Sequence, residues 1–469
     1  MMDVGKRSMM NSQTALQTVG HNIANKSTEG YSRQRVEIQA AEPIGEGRNR
    51  IGMGSKTAAV TRTNNSYLEK QIGKEQSSLG YYNGKSEAMG RVEQVYNEQM
   101  NKGLSTFVGE LFNSFRELSN NPESLATRTQ VKETADLVTK DFKRVSSQLK
   151  DIQKDVDQQL LTHVNEINEM SREIASLNEK VQMVQNGGAP ANDERDRRDL
   201  LVKQLGEKIN IRWAEGTDGT VTITAGNSAL LVSGSDARTL SVRPTPASGS
   251  KGEGNFDIFY KNSEKAVETK VTSQMTGGQI GGLLEVRDKH ISELLQANDN
   301  MAYSLASQIN EIHARGFDAH NKQGLNFFEI PDQIQGAAEN IKVAEHILDD
   351  PGKIAAGLSQ GAPGDNRVAS AIAKLQFENI IDDHSATVDG FYNSIVGKVG
   401  IQAKRADTSR EAQGGIVKQL QNIRESVSGV SLDEETTKLI EYQKAFDASA
   451  RLIKTADEMF DTVLNLKRL

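Results

Sequence analysis

Val138, Phe142, Val145, Leu149, Ile152 and Val156 follow one another at steps of four, three, four, three and four. After an extra residue the seam resumes at Ile167, Ile174, Leu177, Val181 and Val184. Steps of three and four keep apolar side chains on one stripe of an α-helix. Asn121 is a suitable cap, Pro122 suits a first helical turn, and "NGGAP" is a stop. The pattern therefore predicts one helix over 122–185, about 95 Å long at ~1.5 Å per residue. That is longer than a compact domain is wide, so the middle of the molecule is expected to be a rod.

Composition agrees. Of 469 residues only 5% are aromatic, with the single tryptophan Trp213, so the core is expected to be thin and built from Leu, Ile, Val and Ala. The net charge of -7 and the lack of a Lys/Arg cluster speak against nucleic-acid binding. "DERDRRD" at 193–199 is balanced in sign and reads as a solvated helix face. No cysteine is present, which excludes disulfides, thiolate metal sites and a cysteine nucleophile. The opening "MMDVGKRSMMNSQTALQ" has no apolar core or cleavage motif of a signal peptide, and no apolar run reaches spanning length, so membrane insertion is not expected.

The two ends carry stripes of their own. Met2, Met9, Leu16 and Ile23 recur every seven residues, with Val19 and Ser12 three residues after Leu16 and Met9, which predicts a coiled-coil helix stopped by "NKSTEG". "RVEIQA" alternates as a short strand, and "EPIGEGRNRIGMGS" reads as a Gly-rich loop or hairpin. Helix resumes near Ser66. From about Ile209 to Val271, Thr/Val-rich segments such as "TVTITAG" and "FDIFYKN" predict a small β-rich insert. Helix returns near Gly282, a mixed segment covers 317–368, and two helical stretches, 367–428 and 432–466, close the chain. Ser431 and Glu434 match a capping box at the start of the last one. There Leu432, Leu439, Phe446, Ile453 and Phe460 form one row, and Leu452, Met459 and Leu466 a second, about 100° away. So broad a stripe exceeds what one partner helix covers. Both ends are therefore expected to be loose in the isolated chain and to order when neighbouring copies bury both rows.

The search for chemistry is negative. The seven histidines, His21, His163, His290, His313, His320, His346 and His384, are scattered and read as surface residues; there is no HExxH, and none is expected to hold a metal. "GEGRNRIGMGS" lacks the lysine of a phosphate loop, and "DAHNKQG" lacks the alternating acids and closing Glu of a calcium loop. No GxSxG motif occurs. No catalytic residue, cofactor site or metal site is assigned.

"VGHNIANKSTEGYSRQRVEI" resembles the N-terminal signature of the bacterial flagellar axial proteins, the rod, hook and hook-associated proteins. "YQKAFDASARLIKTADEMFDTVLNL" resembles their C-terminal helix. "NDERDRRDLLVKQL", "GGQIGGLLEVRD", "GFDAHNKQGLNFF" and "SGVSLDEE" are similar to the hook-associated members at the hook–filament junction. The resemblance implies export through the flagellar type III channel without a cleaved signal. A chaperone is implied to shield the C-terminal helix beforehand. Assembly follows as a thin helical layer on the hook protein, with a second junction protein and the filament built upon it. Two departures stand out. "EIPDQIQGAAENIKVAEH" leaves no room for the further inserted domain of larger members, and "MMDVGK" starts abruptly, as if a turn of the inner helix were missing.

The expected fold is mainly α: a helical-bundle rod (61–205 and 282–429), coiled-coil terminal helices forming an inner-tube unit (1–60 and 430–469), and an inserted β-rich domain (206–281). The expected assembly residues are Met9, Leu16, Val19 and Ile23 opposite Leu432, Leu439, Phe446, Leu452, Ile453, Met459 and Phe460. The expected function is that of an extracellular structural subunit of the flagellum, not an enzyme. Two rivals remain open: a hook or distal rod protein of the same family, and a secreted enzyme whose β insert would hold the site, although 206–280 contains no histidine or cysteine.

Overall fold

The computed structural model describes residues 1–43, 52–97, 103–245, 254–262, 266–382 and 384–466, with side chains to 464. The Gly-rich segment expected after the first strand falls largely outside them. The chain opens with helix α1 (Met2–Ala24), then strands β1 (Gln34–Ala40) and β2 (Ser55–Arg62), which pair antiparallel. Helices α2 (Ser66–Val95), α3 (Leu104–Asn120), α4 (Leu125–Asn186) and α5 (Asn192–Lys208) follow. A β-rich segment comes next. In it β3 (Ile211–Glu215), β4 (Val221–Ala225), β5 (Ala229–Ser233) and β6 (Asp236–Ala237) form an antiparallel meander. Strands β7 (Leu240–Pro244), β8 (Phe256–Tyr260) and β9 (Thr269–Lys270) form a second small sheet. Helix α6 (Gly278–Glu285) runs through one π-helical turn, Val286–Ile291, into α7 (Ser292–His313). Then come β10 (Phe328–Glu329), α8 (Ala337–Asn340), β11 (Lys342–Val343), α9 (Glu345–Asp349) and α10 (Arg367–Lys374). Helices α11 (Val388–Ser428) and α12 (Leu432–Leu466) complete the chain.

The rod is continuous. α4 keeps its helical turn through 62 residues, about 93 Å, and every seam residue from Val138 to Val181 is buried. It lies in one apolar core with α3, α5, α6 and α7. Its start differs from the expected one: Ser124, not Asn121, caps it by accepting the Thr127 N–H, and Pro122 stands in the preceding turn. Asn25, which ends α1, has φ -98, and the left-handed residue of that stop is Gly30 at φ 82. The stretch 367–428 is two helices rather than one, because the chain after Lys374 turns out through a 3-10 turn and an Ile381–Ala386 bridge. Thr387 then caps α11 by accepting the Gly390 N–H.

α2 crosses α5 and α6 at backbone contact, which explains "GGQIGG". A methyl group on Gly282 would meet the Tyr81 carbonyl oxygen at 2.1 Å, one on Gly84 the Gln279 oxygen at 2.5 Å, and one on Gly80 the Glu207 oxygen at 2.1 Å. Helix therefore begins at Gly278, whose φ of 66 suits glycine, earlier than expected.

A recurrent device fastens strands to helices. Asn168 of α4 accepts the Leu240 N–H (2.8 Å) and donates to its carbonyl (2.9 Å), as a neighbouring strand would. Asn178 does the same at Val221 and Asn310 at Phe328. Each buried amide thus has partners on both sides, and the backbone groups of a strand edge are satisfied without another strand.

Two histidines are core residues, contrary to the surface reading. His290, within the π turn, is buried. His313 is fully buried; its Nδ1–H donates to the Leu325 carbonyl and its Nε2 accepts the Ala355 N–H (2.9 Å). Protonation would remove that acceptor, and burial lowers the His313 pKa to about 4. The neutral form is favoured in the folded state, so its contribution is complete above the unfolded value of ~6.5 and is lost as pH falls below it. Urea unfolding should show about 2 kcal/mol less stability from this group at pH 5 than at pH 7.5. In a His313→Gln chain that increment should disappear.

Candidate assembly interface

α12 runs antiparallel to α1. Glu435 meets Asn22 (2.9 Å), the Ser449 hydroxyl meets that of Ser8 (2.7 Å), and Ile453 lies over Gly5. The seam on α1 is made of small and polar groups: Gly5, Asn11, Ser12, Ala15, Thr18, Val19 and Asn22 are its buried residues. Small side chains allow close approach, and a methyl group on Gly5 would stand 2.8 Å from the Ile453 side chain. Asn11 and Asn22 repeat the clamp seen in the rod. Asn11 binds the Ser55 carbonyl and the Thr57 N–H of β2, and Asn22 binds the carbonyl and N–H of Gln34 of β1. α1 is thus held between the β1–β2 hairpin and α12.

Of the residues expected to form the seam on α1, Val19 is buried, while Met9, Leu16 and Ile23 are half-buried. On α12, Leu439, Phe446 and Ile453 are half-buried. Leu432 is 39% exposed, Leu452 43%, Met459 55% and Phe460 64%. Ile440, Val463 and Leu464 are exposed as well, and the side chain of Leu466 lies outside the described ones. The register explains this. Ile453 already lies over Gly5, so Phe460 and Leu464 continue the α1-facing direction past its first turn. Leu452, Met459 and Val463 form a row along the flank.

Where this pair meets the rod, the contacts are polar. Arg33 pairs with Glu434 (2.7 Å) and Glu435 (2.6 Å). Glu434, expected in a capping box, thus reaches across to another segment. Arg62 at the end of β2 pairs with Asp196 (2.7 Å) and Asp199 (3.0 Å) of α5. Arg424 of α11 donates to the Gly30 and Tyr31 carbonyls and to Glu69 of α2, which also holds Lys203. "DERDRRD" is therefore not a solvated face: Asp196 and Arg198 are buried, because their charges are matched from other elements. Burial pushes the Asp196 carboxyl above the usual carboxylate range, against the pull of Arg62. Burial would raise Glu69 too, but Lys203 and Arg424 more than offset it and hold it below that range. Burial, with Asp193, Asp196 and Glu435 adding, raises the Tyr31 phenol, which stays protonated and donates to Asn22 Oδ1 (2.7 Å). Asn11, Asn22, Glu435 and Asp196 escape a reading of apolar periodicity. Their only signal in the sequence is polar side chains standing at seam positions.

Among the described residues no helix is long and apolar enough to cross a membrane, and no group of three or more His, Asp or Glu is placed to hold a metal ion. A rod whose two chain ends are brought together, with apolar rows left uncovered on one of them, defines an elongated, mainly α-helical structural protein. The profile of the flagellar hook-associated protein FlgK helical domain matches residues 89–328, just over half of the chain. That of the flagellar basal body rod FlgEFG protein C-terminal region matches 424–466. The chain belongs to the flagellar hook-associated FlgK family and is a structural component of the flagellum, as its sequence motifs led one to expect.

It is 28% identical to flagellar hook-associated protein 1 of Bacillus subtilis (strain 168), over 99% of this chain and 97% of that one. It is 26% identical to the Escherichia coli (strain K12) protein of the same name, over 97% of both. The solved flagellar hook junction protein FlgK from Burkholderia pseudomallei shares the fold at a TM-score of 0.69 and 15% identity, over 76% of this chain and all of that one.

Proposed function

We propose that the chain forms the layer between hook and filament, and that it assembles through the α1–α12 pair. The observation that carries this reading is the uncovered apolar surface of α12, which a tubular array of copies would bury. α1, β1–β2 and α12 form the inner unit, the helices from α2 to α11 the rod, and β3–β9 an insert on the rod. Met9, Leu16, Val19 and Ile23, with the α12 rows, are the assembly residues. Asn22, Glu435 and Ser449 hold the near half of α12, so order in the isolated chain is graded: it is firm at Leu432–Ser449 and loose beyond Ile453. That loose, apolar end is the part an export chaperone would cover before passage through the type III channel without a cleaved signal. The neighbours in the finished structure are the hook protein and the second junction protein, outside the cell. The work is mechanical rather than catalytic.

Immunogold labelling of isolated hook–filament complexes with antibody against this chain should show one narrow band at the junction. The match of 424–466 to the rod-protein C-terminal profile favours one second reading, a hook or rod subunit. Label along the whole hook or rod would establish that reading and end the first.

A further inference from the structure

Among the described residues neither α1 nor α12 packs along any helix of the rod; their helical partner is each other, and α1 also rests on β1 and β2. The apolar cluster at this end of the rod is small, Leu68, Ile72 and Leu420, and all three belong to the rod itself. The covalent links are short segments, 25–33, 63–65 and 429–431. What joins the pair to the rod is therefore a polar group with Arg33 at its centre, flanked by the Arg62 and Arg424 contacts. Three consecutive amides there go to three different elements. Ser32 N–H donates to Asp196 of α5 (2.8 Å), Arg33 N–H to the Ser428 carbonyl at the end of α11 (2.9 Å), and Gln34 N–H to Asn22 of α1 (2.9 Å). The Arg33 side chain then takes Glu434 and Glu435 of α12, and the Arg33 carbonyl accepts the Thr63 N–H (2.8 Å) between β2 and α2. Glu435 is 1% exposed on a helix that otherwise shows most of its surface to water.

We infer that this knot, centred on the Arg33–Glu435 pair, fixes the direction in which the α1–α12 pair leaves the rod. Apolar contacts tolerate sliding and rotation. A set of hydrogen bonds from one short segment to α1, α5, α11 and α12, those to α5 and α12 charge-assisted, does not, because each bond demands its own distance and angle. Arg33, Asp196 and Glu435 are thus positioning residues: bonded within the chain, they set the tilt at which the inner helices are presented. The inference goes beyond the junction reading and does not depend on where in the flagellum the chain sits.

The absence of native cysteine makes the test direct. Spin labels at Gln17→Cys on α1 and Glu169→Cys on α4, both exposed, report the angle between pair and rod in the full chain; Gln17→Cys with Lys444→Cys reports the pair itself. Electron double resonance should give one narrow distance distribution for each label pair in the otherwise native chain. Replacing both charges by apolar groups of similar size, Arg33→Met with Glu435→Leu, should at least double the width of the first distribution. The second should widen far less, because the Ser449–Ser8 and Ile453–Gly5 contacts of the pair remain when the Glu435–Asn22 bond is lost, and the rod's circular dichroism should stay unchanged. Three results would each overturn the inference: a pair-to-rod distribution that is already broad in the native chain, a broad distribution within the native pair, or an unchanged pair-to-rod width in the double variant. The first and last results would leave assembly at the junction standing, whereas misplaced immunogold label would leave the knot standing.

Discussion

Replacing Met459 and Phe460 together by aspartate should leave the isolated chain as stable as before, within about 0.5 kcal/mol, and abolish its incorporation into flagella. Both side chains are more than half exposed, so little packing in the folded subunit is lost. In an assembly each would bury at ~1.5–3 kcal/mol, and two carboxylates in their place would have to be desolvated as well. The combined penalty, about 5 kcal/mol or more per copy, weakens each contact by at least three orders of magnitude. Denaturant unfolding of purified chain measures the first half of this expectation. Electron microscopy of a strain carrying only the variant measures the second, which should show hooks without filaments. Normal filaments would remove the apolar end of α12 from the assembly surface. The pair Phe446→Asp with Ile453→Asp should also block assembly, but it is less clean. Ile453 packs on Gly5, so that change disturbs the subunit itself.

The second large effect lies in the rod. Gly282→Ala should cost about 3 kcal/mol or more in urea unfolding, since the added methyl would stand 2.1 Å from a backbone oxygen that cannot rotate away. The helices α2 and α6 would have to separate along their crossing. Gly90→Ala on the same α2 is the control. Among the described residues nothing outside its own helix backbone lies within 4 Å of its added methyl group, and the better helix former should add about 0.5–1 kcal/mol. Equal and small effects at both positions would show that the α2–α6 crossing is not close-packed.

The gap between these glycines illustrates what a sequence reveals. Gly282 and Gly90 both sit within apolar, helical patterns, and nothing local tells them apart. The difference is the carbonyl of Tyr81, brought from a segment some two hundred residues away. The α4 seam, by contrast, was legible residue by residue, and from Val138 to Val181 it is buried as its spacing requires, with Val184 half-buried at the end of the helix. The cap at its start was misplaced by three residues, because Asn121 and Ser124 offer the same oxygen and only the turn geometry at Pro122 chooses between them. The histidine reading went wrong for a related reason. His313 is buried only because Leu325 and Ala355 arrive from a later loop to satisfy both ring nitrogens.

At the chain ends the division is sharpest. Period by itself determined that α1 and α12 are helices, that each has an apolar face, and that the face of α12 is too wide for one partner. Side-chain spacing repeats every turn, and that information is local. Only the tertiary structure decided that the α1 seam is small and polar rather than methionine and leucine, and that Asn11 and Asn22 clamp the hairpin. It also decided that Asp196 and Arg198 of "DERDRRD" are buried at the rod's end. A charge or an amide is stable in the interior only when a partner of the right sign and geometry is supplied. Here those partners, Arg33, Arg62 and Arg424, come from distant parts of the chain, so no window of sequence contains both halves of the interaction.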